Sequence, residues 1–398
     1  MRQMDLKDLE RKNIINTYNR QPETTLFLKR GEGVHVWDDA GNRYLDFVSG
    51  LAVNNLGHCH PTIVEAICHQ AQRLMHTSNL YYTEPQILLA EQLVKYSSAD
   101  KIFFCNSGAE ANEAAIKLAR KYGKVKKNNE AFEIITAARS FHGRTLAAIT
   151  ATGQPKYHKG FEPMVAGFRY AEFNDLQSFV ELVTDKTCAI LIEPVQGEGG
   201  VYPATTEFLQ GLRQLCDQHQ LLLIFDEVQC GMGRTGKLFA AEHYDVEADV
   251  YTLAKALGGG LPIGVMGAKG EAAETLVPGE HASTFGGNPV VCAAANAAVN
   301  LLVADGFLEQ VLKKGEYFKK RLRELSYTKI VDVRGLGLMV GLEIDGDGAQ
   351  VVRLCQEKGL LINCIGGKTL RFLPPLIATE EHIDIAINLL QKALLTLN

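Results

Sequence analysis

Short apolar runs mark the middle of the chain: KIFFC (101–105), FEIIT (132–136), CAILI (188–192), LLLIF (221–225), DVYTL (249–253) and IGVMG (263–267). They are continuous rather than alternating, and many of their residues are β-branched. Strands buried on both faces read this way. Amphipathic helical patterns separate several of them, among them EFLQGLRQLCDQH (207–219). Alternating β and α elements predict an α/β domain with a mostly parallel sheet and right-handed crossovers. The last third of the chain changes character. GFLEQVLKKGEYFKKRLREL (306–325) predicts a long charged helix, VDVRGLGLMVGLEI (331–344) a hairpin, and the segment near 380–396 a final helix. Together they predict a second, α+β domain. GVHVWDDAGNRYLDF (33–47) reads as a hairpin turning near Gly41-Asn42 and packing on that second domain. The expected division is an N-terminal segment (1–50) packed with the small domain, a large domain (51–302) and a small domain (303–398).

Composition narrows the function classes. A chain of 398 residues is long for one core, in keeping with two domains. Hydrophobic residues make up 46% and charged residues 22%, the balance of a soluble globular protein. A net charge of −5 offers no basic footprint for nucleic acid. No apolar run reaches the length of a membrane span. The start, MRQMDLKDLERKN, lacks the apolar core of a signal peptide and is too acidic for a transit peptide. The nine cysteines are scattered without a CxxC pair, which suits a reducing, cytoplasmic setting. GHCH (57–60) lacks a second ligand cluster and is followed by Pro61, so no metal site is expected.

In open α/β sheets ligands bind beyond the carboxyl ends of the strands, so the residues following each apolar run carry the chemistry. After KIFFC, Asn106 or Ser107 caps a helix that Gly123 is expected to stop. Ser107, Gly108 and Ala109 are small and leave backbone N–H groups open, as a plain capped helix or a phosphate site. After FEIIT, Phe141 and His142 precede Gly143 and Arg144. They read either as a core-capping aromatic beside a solvated arginine, or as a stacking face beside a carboxylate fork. After CAILI, Glu193 and Glu198 flank a glycine-rich turn. Paired acids also serve glycoside hydrolysis, but sugar-binding aromatics are scarce around them. After LLLIF comes Asp226, with Gln229 a turn later, and after DVYTL comes Lys255. Lys255 is either a strand-end lysine whose head snorkels to water or an internal partner of Asp226. Alternatively, Lys255 and Asp226 face two ends of one cofactor.

Pyridoxal 5'-phosphate meets the last reading. Its aldehyde condenses with a lysine amine, its ring nitrogen is kept protonated by a carboxylate, its phosphate suits a helix N-terminus and its ring suits an aromatic stack. Lys255, Asp226, Ser107-Gly108-Ala109 and Phe141 supply the four.

These residues lie in longer motifs. IFDEVQCGMGRTGKLFAAEHYDVEADVYTLAKALGGGLPIG, NSGAEANEAAIKLAR, FHGRT, EPVQGEGG, STFGGNP and LRFLPP follow one another along nearly the whole chain. Their order and content resemble the class III, or subgroup II, aminotransferases of fold type I. The resemblance implies that fold, pyridoxal phosphate as cofactor, no metal, and a homodimer with active sites at the interface. It implies that Lys255 carries the cofactor and shuttles the proton, that Asp226 pairs with the ring nitrogen, and that Gln229 bonds the ring hydroxyl. Ser107, Gly108 and Ala109 would hold phosphate, with Phe141 and His142 beside the ring and Thr284 reaching the neighbouring subunit's phosphate. Arg144, Glu198, Ser283 and Arg371 would meet substrate. Arg144 would take the donor's α-carboxylate and Arg371 a carboxylate of glutamate, with Glu198 screening Arg371 until that second carboxylate arrives. Leu51 stands where ornithine-specific relatives carry a tyrosine that contacts the donor's α-amino group. A charged amine there would be costly to desolvate. That favours N-acetylornithine or N-succinylornithine over free ornithine, with 2-oxoglutarate as acceptor. Succinyl-diaminopimelate and 4-aminobutyrate transamination remain open, as does an aminomutase on the same scaffold.

Overall fold

The computed structural model describes residues 3–397 other than 19, 22, 128 and 129. The domain limits at 1 and 398 thus lie outside the described residues. A seven-stranded sheet forms the centre, in the spatial order Lys101–Cys105, Gly264–Ala268, Val250–Leu253, Leu222–Asp226, Thr187–Ile192, Glu133–Ala137 and Phe168–Ala171. From Val250–Leu253 to Phe168–Ala171 every neighbouring pair is parallel, whereas Gly264–Ala268 runs antiparallel to both neighbours. Thr187–Ile192 and Leu222–Asp226 are buried along their whole length, as their unbroken apolar runs require. The edge strand Phe168–Ala171 has no counterpart among the apolar runs. Its FRYA sequence is short, polar and mostly half-buried, so it carries no apolar signature.

Ser107 is the cap of the helix Gly108–Tyr122, its Oγ accepting the Glu110 N–H, while Glu110 returns its carboxylate to the Asn106 N–H. Gly123 does not end this helix by a left-handed turn. Its φ is −55°, and the chain continues as a wider turn to Lys127. A Cβ at Gly123 would lie 2.5 Å from that of Cys188, so glycine serves close packing there.

A second, antiparallel sheet orders Ile330–Leu336, Met339–Ile344, Thr369–Phe372 and Asn363–Ile365. The N-terminal strands Leu28–Glu32, His35–Asp38 and Arg43–Asp46 form a third, which Leu360–Leu361 completes by pairing parallel to Arg43–Asp46. The N-terminal segment is thereby joined to the C-terminal region through backbone bonds. One apolar cluster runs from Phe47 through Leu253 and Val299 to Phe318, Phe372 and Leu390. The helix Pro289–Leu302, capped by Asn288, belongs to it and leads into Phe307–Arg323. GHCH does other work: His58 Nε2 pairs with Asp46 Oδ2 at 2.7 Å, and Cys59 is exposed.

Candidate active site

A cavity of about 470 Å³ opens beyond the carboxyl ends of the parallel strands. Its wall includes Ser107-Gly108-Ala109, Phe141, Arg144, Glu198, Asp226, Gln229 and Lys255. Residues far apart in sequence meet here because each follows a strand of the same sheet.

Asp226 ends its strand and is 3% exposed. Its Oδ2 accepts the Asn112 Nδ2–H at 2.8 Å and lies 2.8 Å from His142 Nδ1, while Oδ1 accepts the Val228 N–H at 3.0 Å. Oδ1 keeps a lone pair for one more donor. Asn112 is itself fixed, giving its second N–H to the His142 carbonyl and accepting from the Thr252 hydroxyl. A buried carboxylate is therefore presented in one orientation by neutral or hydrogen-bonded groups.

Lys255 opens the short turn Lys255–Gly258 with φ +43°, a left-handed conformation costing a side chain roughly 1–2 kcal/mol. It lines the cavity without forming an ion pair with Asp226 or any other carboxylate among the described residues. Burial lowers its pKa, and the Asp226 and Glu198 charges only partly oppose that. The amine is thus more easily neutral, and hence nucleophilic, than an exposed lysine. The ion-pair reading of Lys255 fails on this geometry.

Arg371 is 1% exposed and does not itself line the cavity. It lies behind Glu198 and Gln229: Nη1 bonds Glu198 Oε1 at 2.7 Å and Gln229 Oε1 at 3.1 Å, and Nε bonds Asn363 Oδ1 at 3.2 Å. Burial alone would raise the Glu198 pKa, but Arg371 overrides it and holds the carboxyl below its ordinary value. Glu193 also lines the cavity. Its oxygens accept the Phe141 and Gly197 N–H groups at 2.9 and 3.3 Å, so it joins two loops of the site. Both acids are tied into the wall, Glu198 by Arg371 and Glu193 by backbone N–H groups.

Burial pushes the Glu193 carboxyl up to about 7, with His142 opposing and Asp226 adding to the rise. A folded value above the ordinary 4.5 means that its contribution to stability is complete below pH 4.5 and lost as pH climbs through about 7. The melting-point gap between the wild type and Glu193→Gln should therefore narrow from pH 5 to pH 8, by the equivalent of about 1–3 kcal/mol. A gap that stays constant would mean that Glu193 is ionised throughout.

The wall fits pyridoxal phosphate. The first-turn N–H groups of Gly108 and Ala109 have no acceptor within their helix. A Cβ on Gly108 would press on Val228 at 2.7 Å, and one on Gly143 would press on Ala109 at 2.8 Å, so side chains are excluded around this cradle. His142 Nε2 is buried without a partner among the described residues. A ring phosphate at the cradle, a carboxylate lone pair and an amine make up the donor set this cofactor needs.

Other expected residues stand apart. Ser283 Oγ accepts from Asn106 Nδ2 and from the Gly286 N–H, and neither Ser283 nor the exposed Thr284 lines the cavity of this chain. Leu51 is exposed and outside the wall, and Val53 supplies the apolar surface instead. The shift has a local cause. Ser49 to Ala52 all have positive φ, and this left-handed turn swings Leu51 outward. Asp46 holds the turn through the Val48 and Ser49 N–H groups. Sequence reasoning missed Asn112, Glu193 as a loop clamp, and Asn363. Asn112 alone left a signal, as a polar residue on the alanine-rich face of its helix.

Residues 17–394 match the family described as aminotransferase class III. The chain is 55% identical over 388 residues to acetylornithine aminotransferase of Caldanaerobacter subterraneus subsp. tengcongensis, covering 97% of this chain and 98% of that protein. The fold is similar to ornithine aminotransferase from Toxoplasma gondii ME49, with TM-score 0.94 and 32% identity, covering 100% of this chain and 96% of the other. It is also similar to acetylornithine aminotransferase from Elizabethkingia anophelis, with TM-score 0.87, 34% identity and 98% of each chain covered.

Proposed function

The chain belongs to the class III aminotransferases, and from that premise we infer that it moves the terminal amine of N-acetylornithine to 2-oxoglutarate, leaving N-acetylglutamate 5-semialdehyde and glutamate. This is a step of arginine biosynthesis. The observation that carries the chemistry is the placement of Lys255 and Asp226 at neighbouring strand ends in one cavity with the Ser107–Ala109 cradle. Pyridoxal 5'-phosphate, when bound, supplies the aldehyde that takes the amine and the ring that accepts electrons from the substrate carbon.

The chain's residues do the rest. Lys255 holds the cofactor and, once displaced, carries the proton to and from the substrate carbon through Nζ. Asp226 would hold the ring N–H, and His142 and Asn112 keep that carboxylate from turning. Ser107, Gly108 and Ala109 receive the phosphate. Phe141 would cover one ring face, and Gln229, within the wall, would bond the ring hydroxyl. Arg144 grips the donor's carboxylate, and Glu198 neutralises Arg371 while the donor is bound. The apolar Val53 favours an acylated donor over one with a free α-ammonium.

The domain division at 1–50, 51–302 and 303–398 belongs to the same reading, supported by the pairing of Arg43–Asp46 with Leu360–Leu361. So does a cytoplasmic homodimer. Leu80, Tyr81, Tyr82 and Phe285 are all well exposed, an apolar group that a second copy would cover, and Ser283 and Thr284 adjoin Phe285. No single helix among the described residues is long and apolar enough to cross a membrane.

The test is the donor half-reaction. N-acetylornithine, N-succinylornithine, ornithine and 4-aminobutyrate are added separately to the purified holoenzyme, and loss of the lysine-bound cofactor absorbance is timed. N-acetylornithine should discharge it fastest, and 2-oxoglutarate should restore it. A faster reaction with ornithine or 4-aminobutyrate would overturn the donor assignment but leave the mechanism. Glu198→Ala tests the screening role. It leaves Arg371 permanently charged and uncovered, so glutamate should gain on N-acetylornithine as donor by roughly 10- to 100-fold in the ratio of their kcat/KM values. An unchanged ratio would remove Glu198 from substrate selection.

A further inference from the structure

We propose that Tyr157 is the positioning residue for Arg144, its ring holding the guanidinium at the cavity mouth with every N–H donor left for a substrate carboxylate. The proposal rests on the reading of Arg144 as a carboxylate grip. The Arg144 guanidinium carbon lies 4.1 Å from the Tyr157 ring centre and 5.5 Å from that of Phe141. The two rings meet edge to face at 5.9 Å and 78°. Arg144 itself is exposed, and among the described residues its guanidinium has neither a hydrogen bond nor an ion pair. A long, solvent-facing arginine would otherwise sample many rotamers. The rings are what restrict it.

Tyr157 is firmly seated. It ends the short turn Pro155–Tyr157, and its N–H bonds the Gln154 carbonyl at 3.0 Å. The buried Gln154 side chain donates to the Arg139 and Ser140 carbonyls, in the loop that carries Phe141. His158 Nε2 lies 2.9 and 2.8 Å from the Ile149 and Thr152 carbonyls. The backbone carrying the ring is thus tied on both sides to the loop and helix flanking Arg144, whereas the Tyr157 hydroxyl has no hydrogen bond among the described residues. What Tyr157 contributes is its face. Lys156 Nζ, 4.8 Å from the same ring centre, adds a second positive charge at the mouth.

The two arginines of the site are held by opposite means. Arg371 is paired with a carboxylate, which must leave before a substrate carboxylate can enter. Arg144 is held by π-faces, which attract the cation without occupying its in-plane donors. One arginine is therefore gated and the other permanently available, and the permanent one serves both half-reactions. Tyr157 accordingly sets affinity for carboxylates in both, not the rate of proton transfer.

The experiment compares wild type, Tyr157→Phe, Tyr157→Leu, Tyr157→Gln and Arg144→Lys holoenzymes. KM and kcat are measured for N-acetylornithine and 2-oxoglutarate, and glutarate, an unreactive dicarboxylate, is titrated by calorimetry. Either ring-removing variant should raise both KM values and the glutarate Kd roughly 5- to 20-fold, with kcat within about twofold. Tyr157→Phe should match wild type, which a role through the hydroxyl would not allow. If Arg144→Lys weakens glutarate while both ring-removing variants bind it normally, Tyr157 has no positioning role and the Arg144 reading stands. If Arg144→Lys also binds glutarate normally, the Arg144 reading fails and the proposal falls with it. A loss of kcat without a change in KM would likewise overturn it.

Discussion

Lys255→Ala should lower turnover by at least about 10⁴-fold while leaving the fold intact, because one amine serves both as covalent anchor and as proton carrier. Alanine leaves the Asp226 network untouched, since Lys255 makes no hydrogen bond or ion pair with it. It keeps the left-handed backbone at the same local cost. The variant should therefore keep its circular dichroism spectrum and melt within a few degrees of the wild-type apoprotein. Cofactor should still bind through the helix N-terminus and the Phe141 face, more weakly and without the absorbance of the lysine adduct. Residual activity near wild type would end the mechanism. A folded variant that binds cofactor but turns over only when a small exogenous amine is supplied would strengthen it, since such an amine can replace the missing proton carrier alone.

How much of this was legible in the sequence differed by type of interaction. The buried strands of the central sheet were readable, because a strand covered on both faces must be apolar throughout, as CAILI and LLLIF are. FRYA was not, because an edge strand owes its place to one neighbour's backbone rather than to its own side chains. In the site, the strand-end rule picked out Asp226 and Lys255 before any partner was known. The partners left no local signal, and the pairing of Glu198 with Arg371 was reached only through the family resemblance. Asn112 reaches Asp226 across 114 positions and Arg371 reaches Glu198 across 173, separations at which no local pattern survives. Tyr157 stands in a polar loop whose sequence reads as a surface excursion, and only the side-chain anchors at Gln154 and His158 seat it against Arg144 and Phe141. The left-handed turn at Ser49–Ala52 was hidden for another reason. Three of its four residues carry side chains that disfavour that conformation, and Asp46 and His58 impose it from outside.

Arg234→Ala should cost about 4 kcal/mol and lower the melting temperature by roughly 5 °C, the largest stability effect expected of any site residue's neighbour. Arg234 is wholly buried and has no carboxylate partner among the described residues. Its Nη1 donates to the Leu338 and Pro374 carbonyls at 3.0 and 2.5 Å, and its Nη2 donates to Asn55 Oδ1. Burial pushes its pKa down to about 9, so the guanidinium stays charged at neutral pH. Three segments converge on it: the Asn55 loop, the Leu338 turn and the stretch after Phe372. The last of these follows Arg371 by three residues. Removing the guanidinium opens a cavity and leaves these acceptors without a donor, each worth about 1–3 kcal/mol when buried. Relief of the buried charge offsets part of this. The balance decides the sign, and Arg234→Met separates the two terms by filling the space without the donors. If the hydrogen bonds dominate, both variants lose stability and 2-oxoglutarate binds more weakly, because Pro374 no longer anchors the strand that carries Arg371. If desolvation dominates, Arg234→Met melts as high as wild type and only Arg234→Ala suffers, through its cavity. Thermal melts of the three proteins with saturating cofactor, paired with KM for 2-oxoglutarate, distinguish these outcomes. Wild-type melting by Arg234→Ala would show that the junction of the two sheets does not depend on Arg234 at all.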